Sequence, residues 1–526
     1  MDLVQWPDHH SSTFMHFPFP KFILLGALIV LLGAFTIVLK PRGEESRPQR
    51  PNILFVISDD QSFAHASAYG FKAIDTPAFD RVAREGVLFT NAFVASPGCS
   101  PSRAAILTGK NCWQIGPAGT HASTFPIELQ IFTDVLQESG YFVGLTGKGW
   151  GPGKVVGRAH NPAGKQYDRH TLTAPKGISN NDYAANFQDF FEQKPSDQPF
   201  CFWMGAQEPH RRYPTGIGER SGMKISDVKV PAFLPDQDEV KSDMLDYLYE
   251  IQWYDRHLGR ILALLEEKGE LENTLVVVTS DNGMPFPRAK ANCYEYGIHV
   301  PLAIRWGAQV KGGRVIDDLV SSIDFAPTFL EAAGIGLNTM KLEGKSLMNI
   351  LKATTEGLVD TERTAVYASR ERHSSSRWNN WGYPQRTIRK GQYQYIWNVH
   401  PERWPAGAPQ KYDADGTLGP MHGAYHDIDD FNESPLNILR EDKDMAPYFH
   451  MAVDKRPAEE LYDIKKDPGC LQNLAADPAY AGIRKQMSQE LKDYLAQTHD
   501  PRTTADGEIF ETYIRYSPIR TFPKPN

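Results

Sequence analysis

"NILFVIS", residues 52–58, runs directly into Asp59-Asp60. Five successive apolar residues of branched or aromatic type, with no polar alternation, predict a strand buried on both faces, the central kind in a sheet covered by helices on each side. Downstream, "TPAFDRVAREG" reads as a helix, with Thr76 as N-cap, Pro77 in the first turn and Gly86 as its stop. Further strands are expected at "YFVGLTG" from Tyr141, "FCFWMGA" from Phe200, "TLVVVTS" from Thr274, "PLAIRW" from Pro301 and "TAVYAS" from Thr364. Amphipathic stretches such as "FTDVLQESG" and "SDMLDYLYEIQWYDRHLGRILALLEEKG" separate them. Strand and helix in turn predict an α/β fold with a large, mostly parallel sheet sandwiched by helices.

In such sheets ligands bind beyond the carboxyl ends of the strands, and here those ends are polar. The first strand ends on Asp59-Asp60, "TLVVVTS" on Asp281-Asn282, "YFVGLTG" on Lys148, and "FCFWMGA" leads into Glu208-Pro209-His210. Each pair alone is an ordinary cap or turn. Delivered together to one edge they form a candidate site. Three carboxylates and an amide oxygen, with no Cys or His pair beside them, suit a hard cation such as Ca²⁺ or Mg²⁺. Arg103, Lys148 and Lys290 are candidates to clamp an anion there.

"GCSPSRAAILTG", residues 98–109, sets Cys99 at the mouth of an expected helix. Pro101 suits a first turn, the residues after Arg103 propagate it, and Cys99 sits at the positive end of the dipole, where a thiolate is acidic and nucleophilic. The alternative is a small packed cysteine. A soft thiolate is also a poor partner for a hard cation.

The 526 residues are 41% hydrophobic and 23% charged, and the net charge of −8 leaves no basic footprint for nucleic acid. Five scattered cysteines make neither a disulfide framework nor a zinc site. "FILLGALIVLLGAFTIVL", residues 22–39, is uncharged between Lys21 and Lys40, and it is long enough for a transmembrane anchor or a long signal peptide. The excess of Lys and Arg after it would favour a cytoplasmic C-terminal side; export is nevertheless expected from the chemistry below. The organisation read from the sequence is an N-terminal segment (1–21), the anchor or signal peptide (22–39), a linker (40–50), a catalytic α/β domain (51–375) and a C-terminal α+β subdomain (376–526). In the last part, "QYQYIWNV" and "EELYDI" alternate as strands and "GIRKQMSQELKDYLAQT" is an amphipathic helix, so a small antiparallel sheet packed by one helix is expected.

At these residues the chain resembles the type I, formylglycine-dependent sulfatases of the alkaline-phosphatase superfamily. Their signature, Cys-x-Pro-Ser-Arg followed by Leu-Thr-Gly, stands as Cys99, Pro101, Ser102, Arg103, Leu107, Thr108 and Gly109. The resemblance implies oxidation of Cys99 to formylglycine by a sulfatase-maturing enzyme, which removes the mismatch of thiolate and hard cation. It implies Asp59, Asp60, Asp281 and Asn282 as Ca²⁺ ligands, with residue 99 completing the shell. Arg103 then steadies residue 99, Lys148 and Lys290 bind sulfate oxygens, and His210 faces the leaving group. One departure stands out: the family reads Gly-Lys-x-His where "GKGWGPG" has Trp150, which leaves the base for sulfate release open, with His121 and His160 as candidates. "DNGMPFPRAKANCY", "YPQRTIRKGQYQYIWN", "ELYDIKKDPGCLQNLA" and "THDP" resemble the heparan N-sulfatase branch.

"SRERHSSSRWNNWGYPQR", residues 369–386, mixes cations with aromatics, so Arg372, His373 and Arg386 are candidate contacts for an anionic sugar; a solvated loop is the alternative. The expected partners are a sulfated sugar, the maturing enzyme, the membrane through the N-terminal segment, and a second copy of the chain in a homodimer. N- and O-sulfatase activities both stay open. So do a phosphodiesterase or phosphonate hydrolase of the same superfamily and an inactive, anchored glycan-binding relative.

Overall fold

The computed structural model describes residues 50–526 apart from 414, 422, 424, 426–438, 440–441, 505–506, 519–521 and 523–526. The expected segments 1–21 and 22–39, and the linker up to residue 49, lie outside the described residues. Among the described residues no helix is long and apolar enough to cross a membrane.

The central strand of the large sheet is β1 (Asn52–Ser58), buried along its whole length. Ile53, Phe55 and Ile57 enter one apolar cluster and Leu54 and Val56 the other, so the strand supplies core to both faces. The other long strands of this sheet are β2 (Val87–Phe93), β3 (Phe142–Gly147), β4 (Phe200–Gly205), β5 (Thr274–Ser280) and β6 (His299–Arg305). Across the sheet the order is 314–316, β2, β6, β5, β1, β4, β3, 165–166, with 320–321 pairing β2 as well. The pairs β1–β4, β1–β5 and β3–β4 are parallel, whereas β6 runs antiparallel to both β5 and β2.

Helices cover both faces. On one side α1 (Pro77–Glu85) and the long α3 (Asp238–Glu267) pack their apolar stripes, α3 through Met244, Tyr247, Ile251, Leu258 and Leu262 at helical spacing. On the other lies α2 (Cys99–Thr108), which contributes Ala104, Ile106 and Leu107. The helix α2 ends where Gly109 turns left-handed at φ +62°; a Cβ there would lie 2.6 Å from Leu342 Cδ2.

The second sheet is antiparallel, in the order β7 (Ala365–Arg370), β8 (Gln385–Lys390), β9 (Tyr393–Asn398) and β10 (Glu459–Asp463). Helix α4 (Ala481–Gln497) packs on it through Met487, Leu491 and Leu495 against Ile388, Tyr395 and Leu461. The boundary expected at 375 therefore cuts the wrong place. Strand β7 lies before it yet pairs with β8 along its length, so this sheet starts at Ala365. Residues 49–526 also form one compact unit.

Candidate active site

Register brings the polar strand ends together. β1 and β5 pair in parallel from Asn52 opposite Thr274 to Ser58 opposite Ser280, so Asp59-Asp60 and Asp281-Asn282 leave the sheet side by side. Gly147 and Gly205 are level at the ends of β3 and β4. A Cβ on Gly147, at φ +72°, would lie 2.2 Å from Gly205 O, so only glycine lets the chain turn here and present Lys148. Asp60 itself takes the left-handed region, at φ +79°, which Asp tolerates better than most residues.

Ligand oxygens of Asp59, Asp60 and Asp281 lie within 4.8 Å of one another, all three buried. Each carboxylate also holds a cation. Lys148 Nζ donates to Asp59 Oδ2 at 2.5 Å, Lys290 Nζ to Asp60 Oδ2 at 2.6 Å, and Arg103 Nε to Asp281 Oδ2 at 2.6 Å. Asn282 Nδ2 donates to Asp60 Oδ1 at 2.7 Å. The buried Asp59 Oδ1 and Asn282 Oδ1 have no hydrogen-bond partner among the described residues. Unsatisfied buried oxygens are costly, and two of them beside a carboxylate cluster fit an oxygen-ligated divalent cation. No histidine or cysteine joins the cluster among the described residues.

The electrostatics agree. Burial raises the Asp59 carboxyl, but Lys148, His210, Arg103 and Lys290 together outweigh it and hold Asp59 well below the usual carboxylate range. Burial lifts Asp281 to about 6 despite Arg103, with Asp59 and Asp60 adding repulsion. A divalent cation would relieve that repulsion.

Helix α2 delivers Cys99 and Arg103 from the far face of the sheet. Arg103 is fully buried; its Nη1 donates to Lys148 O at 2.5 Å and Gly149 O at 3.1 Å, while Nη2 has no partner among the described residues. The acidic thiolate expected at the helix mouth is not found. Cys99 is 2% exposed, and burial pushes its thiol above its ordinary value although Lys148 and Lys290 pull the other way. Desolvation of a charged sulfur outweighs the helix end. Cys99 Sγ lies outside the carboxylate cluster and 3.4 Å from His121 Nε2.

His210 reaches the same edge on the loop after β4. Its Nε2 lies 3.9 Å from Asp60 Oδ2, and its Nδ1 is 2.6 Å from Arg211 O. A carbonyl partner fixes the proton on Nδ1, so Nε2 donates only as imidazolium. Burial and Lys290 lower the His210 pKa, with Asp60 and Asp59 partly offsetting them.

The remaining candidates divide. Trp150 is buried, 5.0 Å centroid to centroid from Phe125 in the apolar core, its main chain is pinned by Asn161, and its indole N–H has no hydrogen-bond partner among the described residues. His160 is exposed, whereas His121 is buried at Cys99. Arg372 and His373 are buried and line a narrow cleft with Gly98, Pro101, His121 and Ala291.

Arg386 is corrected. Instead of meeting a sugar it is fully buried, with Nε 2.5 Å from Asp500 Oδ2, Nη2 2.7 Å from Glu371 Oε1 and Nη1 on Gln385 O. Glu371 is shared with Arg502 Nη2 at 2.7 Å. A guanidinium with both carboxylate partners in place is part of the scaffold. Arg386→Ala would leave two buried carboxylates short of a cation, so unfolding free energy should fall by about 3–5 kcal/mol. Chemical denaturation monitored by circular dichroism reads this; a loss below 1 kcal/mol, near a surface pair's worth, would contradict it.

His121 was within reach of sequence reasoning only as one of two loop histidines. No periodicity marks it, and 22 residues separate it from Cys99.

Known proteins share this plan. A family model described as "Sulfatase" matches residues 51–335, and one described as "N-sulphoglucosamine sulphohydrolase, C-terminal" matches residues 289–401. The chain is 29% identical over 503 residues to human N-sulphoglucosamine sulphohydrolase, covering 89% of this chain and 93% of that protein. It is 27% identical over 492 residues to an ulvan-active sulfatase of Formosa agariphila, covering 91% and 84%. A structure solved in complex with its substrate D-glucosamine-2-N,6-O-disulfate superposes with a TM-score of 0.61 at 22% identity, over 86% of this chain and 98% of that one. The fold is thus shared well beyond the signature around Cys99. Because the first model alone spans more than half of the chain, the protein belongs to the sulfatase family, the hydrolases of sulfuric esters and sulfamates.

Proposed function

We propose that the protein is a calcium-dependent, formylglycine-carrying sulfatase of sulfated polysaccharides or their oligosaccharides, with an N-sulfated glucosamine residue as the favoured target. The observation that carries this is charge balance at the strand ends. Asp59, Asp60 and Asp281 face Lys148, Lys290 and Arg103, three negative groups against three positive ones. A divalent cation therefore leaves the site with excess positive charge, which a sulfate group would complete.

Asp59, Asp60, Asp281 and Asn282 would hold Ca²⁺, their two unpartnered oxygens being hard ligands. When present, Ca²⁺ supplies Lewis-acid charge to sulfuryl oxygens, and formylglycine made from Cys99 supplies an oxygen nucleophile. Lys148 and Lys290 reach the same edge as ammonium donors, ready to move from carboxylate to sulfate oxygens. Arg103, one turn along α2 from residue 99, has an unused donor in Nη2. His210 holds Nε2 towards the leaving group. Burial and Lys290 lower its pKa, and the negative charge of an anionic substrate would raise it. Arg372 and His373 border the cleft in front of Gly98 and are the proposed contacts for the sugar's anionic groups.

Preference for an N-sulfated sugar draws on the likeness to human N-sulphoglucosamine sulphohydrolase and on the matched C-terminal model. Polysaccharide substrates of this kind lie outside the cytoplasm, so export through the N-terminal segment and prior action of a maturing enzyme complete the proposal.

The test is metal exchange. Chelation should lower kcat/KM by at least about 100-fold, the several kcal/mol expected of a catalytic metal. Ca²⁺ should restore activity and Zn²⁺ should not. Restoration by Zn²⁺ alone, with a phosphodiester hydrolysed faster than a sulfate ester, would replace this assignment with a phosphodiesterase one.

A further inference from the structure

We infer that His121 is a positioning residue that fixes the side chain at position 99, an inference resting on Cys99 as the carrier of the nucleophile. The imidazole Nε2 is 3.4 Å from Cys99 Sγ. That sulfur stands where the modified residue carries oxygen. The contact is built from both sides. His121 N–H donates to Arg372 O at 3.2 Å, and Ala122 N–H donates to the buried Ser100 Oγ at 3.0 Å. Ser100 follows Cys99 in the first turn of α2, so the helix mouth itself anchors the segment that carries the imidazole. Ala122 turns through φ +56°, and the His373 ring backs His121 at 4.4 Å between centroids, tilted by 38°. Only 7% exposed, the ring has a defined place against residue 99.

A cysteine-derived side chain has three staggered χ1 wells, only one of which can aim its terminal atom at a given point. Lys148, Lys290, Asp59 and Asp281 act on residue 99 electrostatically, and among the described residues the His121 imidazole is the hydrogen-bond partner of its terminal atom. Position 150, on the lysine loop, carries Trp150, whose ring packs in the core beside Phe125.

Two variants separate the hydrogen bond from the packing. His121→Phe keeps a ring against His373 and removes the polar contact; His121→Gln keeps a polar group near the Nε2 position. Misplacing a reacting atom by about 1 Å costs on the order of 100-fold, so His121→Phe should lose about that factor in kcat. KM should change by no more than about threefold, because phenylalanine keeps a ring packed on His373 and leaves the His121 backbone bond to Arg372 in place. His121→Gln should recover most of the loss. The readout independent of turnover uses the full chain made without the maturing enzyme and labelled with [3-¹³C]cysteine. The Cys99 signal, assigned by its absence in Cys99→Ala, should be single in the wild type and split or broadened in His121→Phe. An unchanged Cys99 signal together with near-wild-type kcat in His121→Phe would overturn the inference, as would a loss carried by KM. If matured wild-type protein hydrolyses no sulfated substrate while the signal still splits, the positioning contact stands and the assignment of Cys99 as nucleophile carrier falls.

Discussion

Cys99→Ala should abolish turnover while leaving the protein folded. Removing a nucleophile from a preorganised site typically lowers kcat by about 10⁴- to 10⁶-fold, because the remaining groups stabilise charge with nothing to attack the sulfur. Structural cost should be small. Cys99 is buried, but alanine deletes only the sulfur, and the first turn of α2 is kept by the neighbouring Pro101 and by Ser102 N–H donating to Gly98 O. Three of the four other cysteines are the internal control. Burial pushes the Cys112, Cys201 and Cys293 thiols up to about 12, and all three sit in the scaffold away from the strand-end carboxylates. Their alanine variants should keep activity within about tenfold while losing stability in the range usual for small core deletions. Steady-state kinetics and thermal melts on all four variants decide it. If Cys99→Ala retained a tenth of wild-type turnover, residue 99 would be packing like the other three.

His210→Ala should discriminate between leaving groups. General acid catalysis contributes about 10²- to 10⁴-fold, and it matters in proportion to how badly the departing group needs a proton. A nitrophenolate leaves unaided; a sugar alkoxide does not; an amine leaving a sulfamate needs the proton most. The kcat/KM of His210→Ala should therefore fall by about 10²- to 10⁴-fold on a sulfated or N-sulfated sugar, but by far less on nitrophenyl sulfate. Geometry gives the reason: with Nδ1 committed to Arg211 O, Nε2 faces Asp60 and the reacting edge. The two substrates are compared at one pH and saturating Ca²⁺. Equal losses on both would mean that His210 orders the site, and the proton donor would then be Lys290, whose Nζ is 2.6 Å from Asp60 Oδ2.

Much of this site was legible before any coordinates because β-sheet chemistry is local. A strand buried on both faces shows as an unbroken apolar run, and its polar end marks the ligand edge; Asp59-Asp60 and Asp281-Asn282 followed from that alone. That they lie side by side depends on the register of β1 on β5, which no composition rule supplies. The antiparallel course of β6 is hidden for the same reason: "PLAIRW" is a short buried run like the mutually parallel strands β1, β4 and β5, and strand direction leaves no trace in such a run. Burial was the larger blind spot. Cys99 and Arg386 were assigned by residue type and neighbours, yet tertiary packing desolvates one thiol and supplies Glu371 and Asp500 to the other side chain. His121 depends on a contact across 22 residues of irregular chain, which carries no periodic signal.

The Arg386 clamp makes the enzyme's competence conditional on nearly its whole length. Asp500 lies after the last long helix, yet it neutralises a guanidinium on β8, and Glu371 on the other side of that guanidinium directly precedes Arg372, whose carbonyl anchors His121. A chain cut short before residue 500 buries Arg386 with half of its compensation, immediately behind the wall of the active cleft. Such a fragment carries the entire signature and every carboxylate of the strand-end cluster, but it lacks the Asp500 partner of Arg386. Its folded state should be less stable by about 3–5 kcal/mol, the loss expected of Arg386→Ala, so a larger share of the chain should be unfolded.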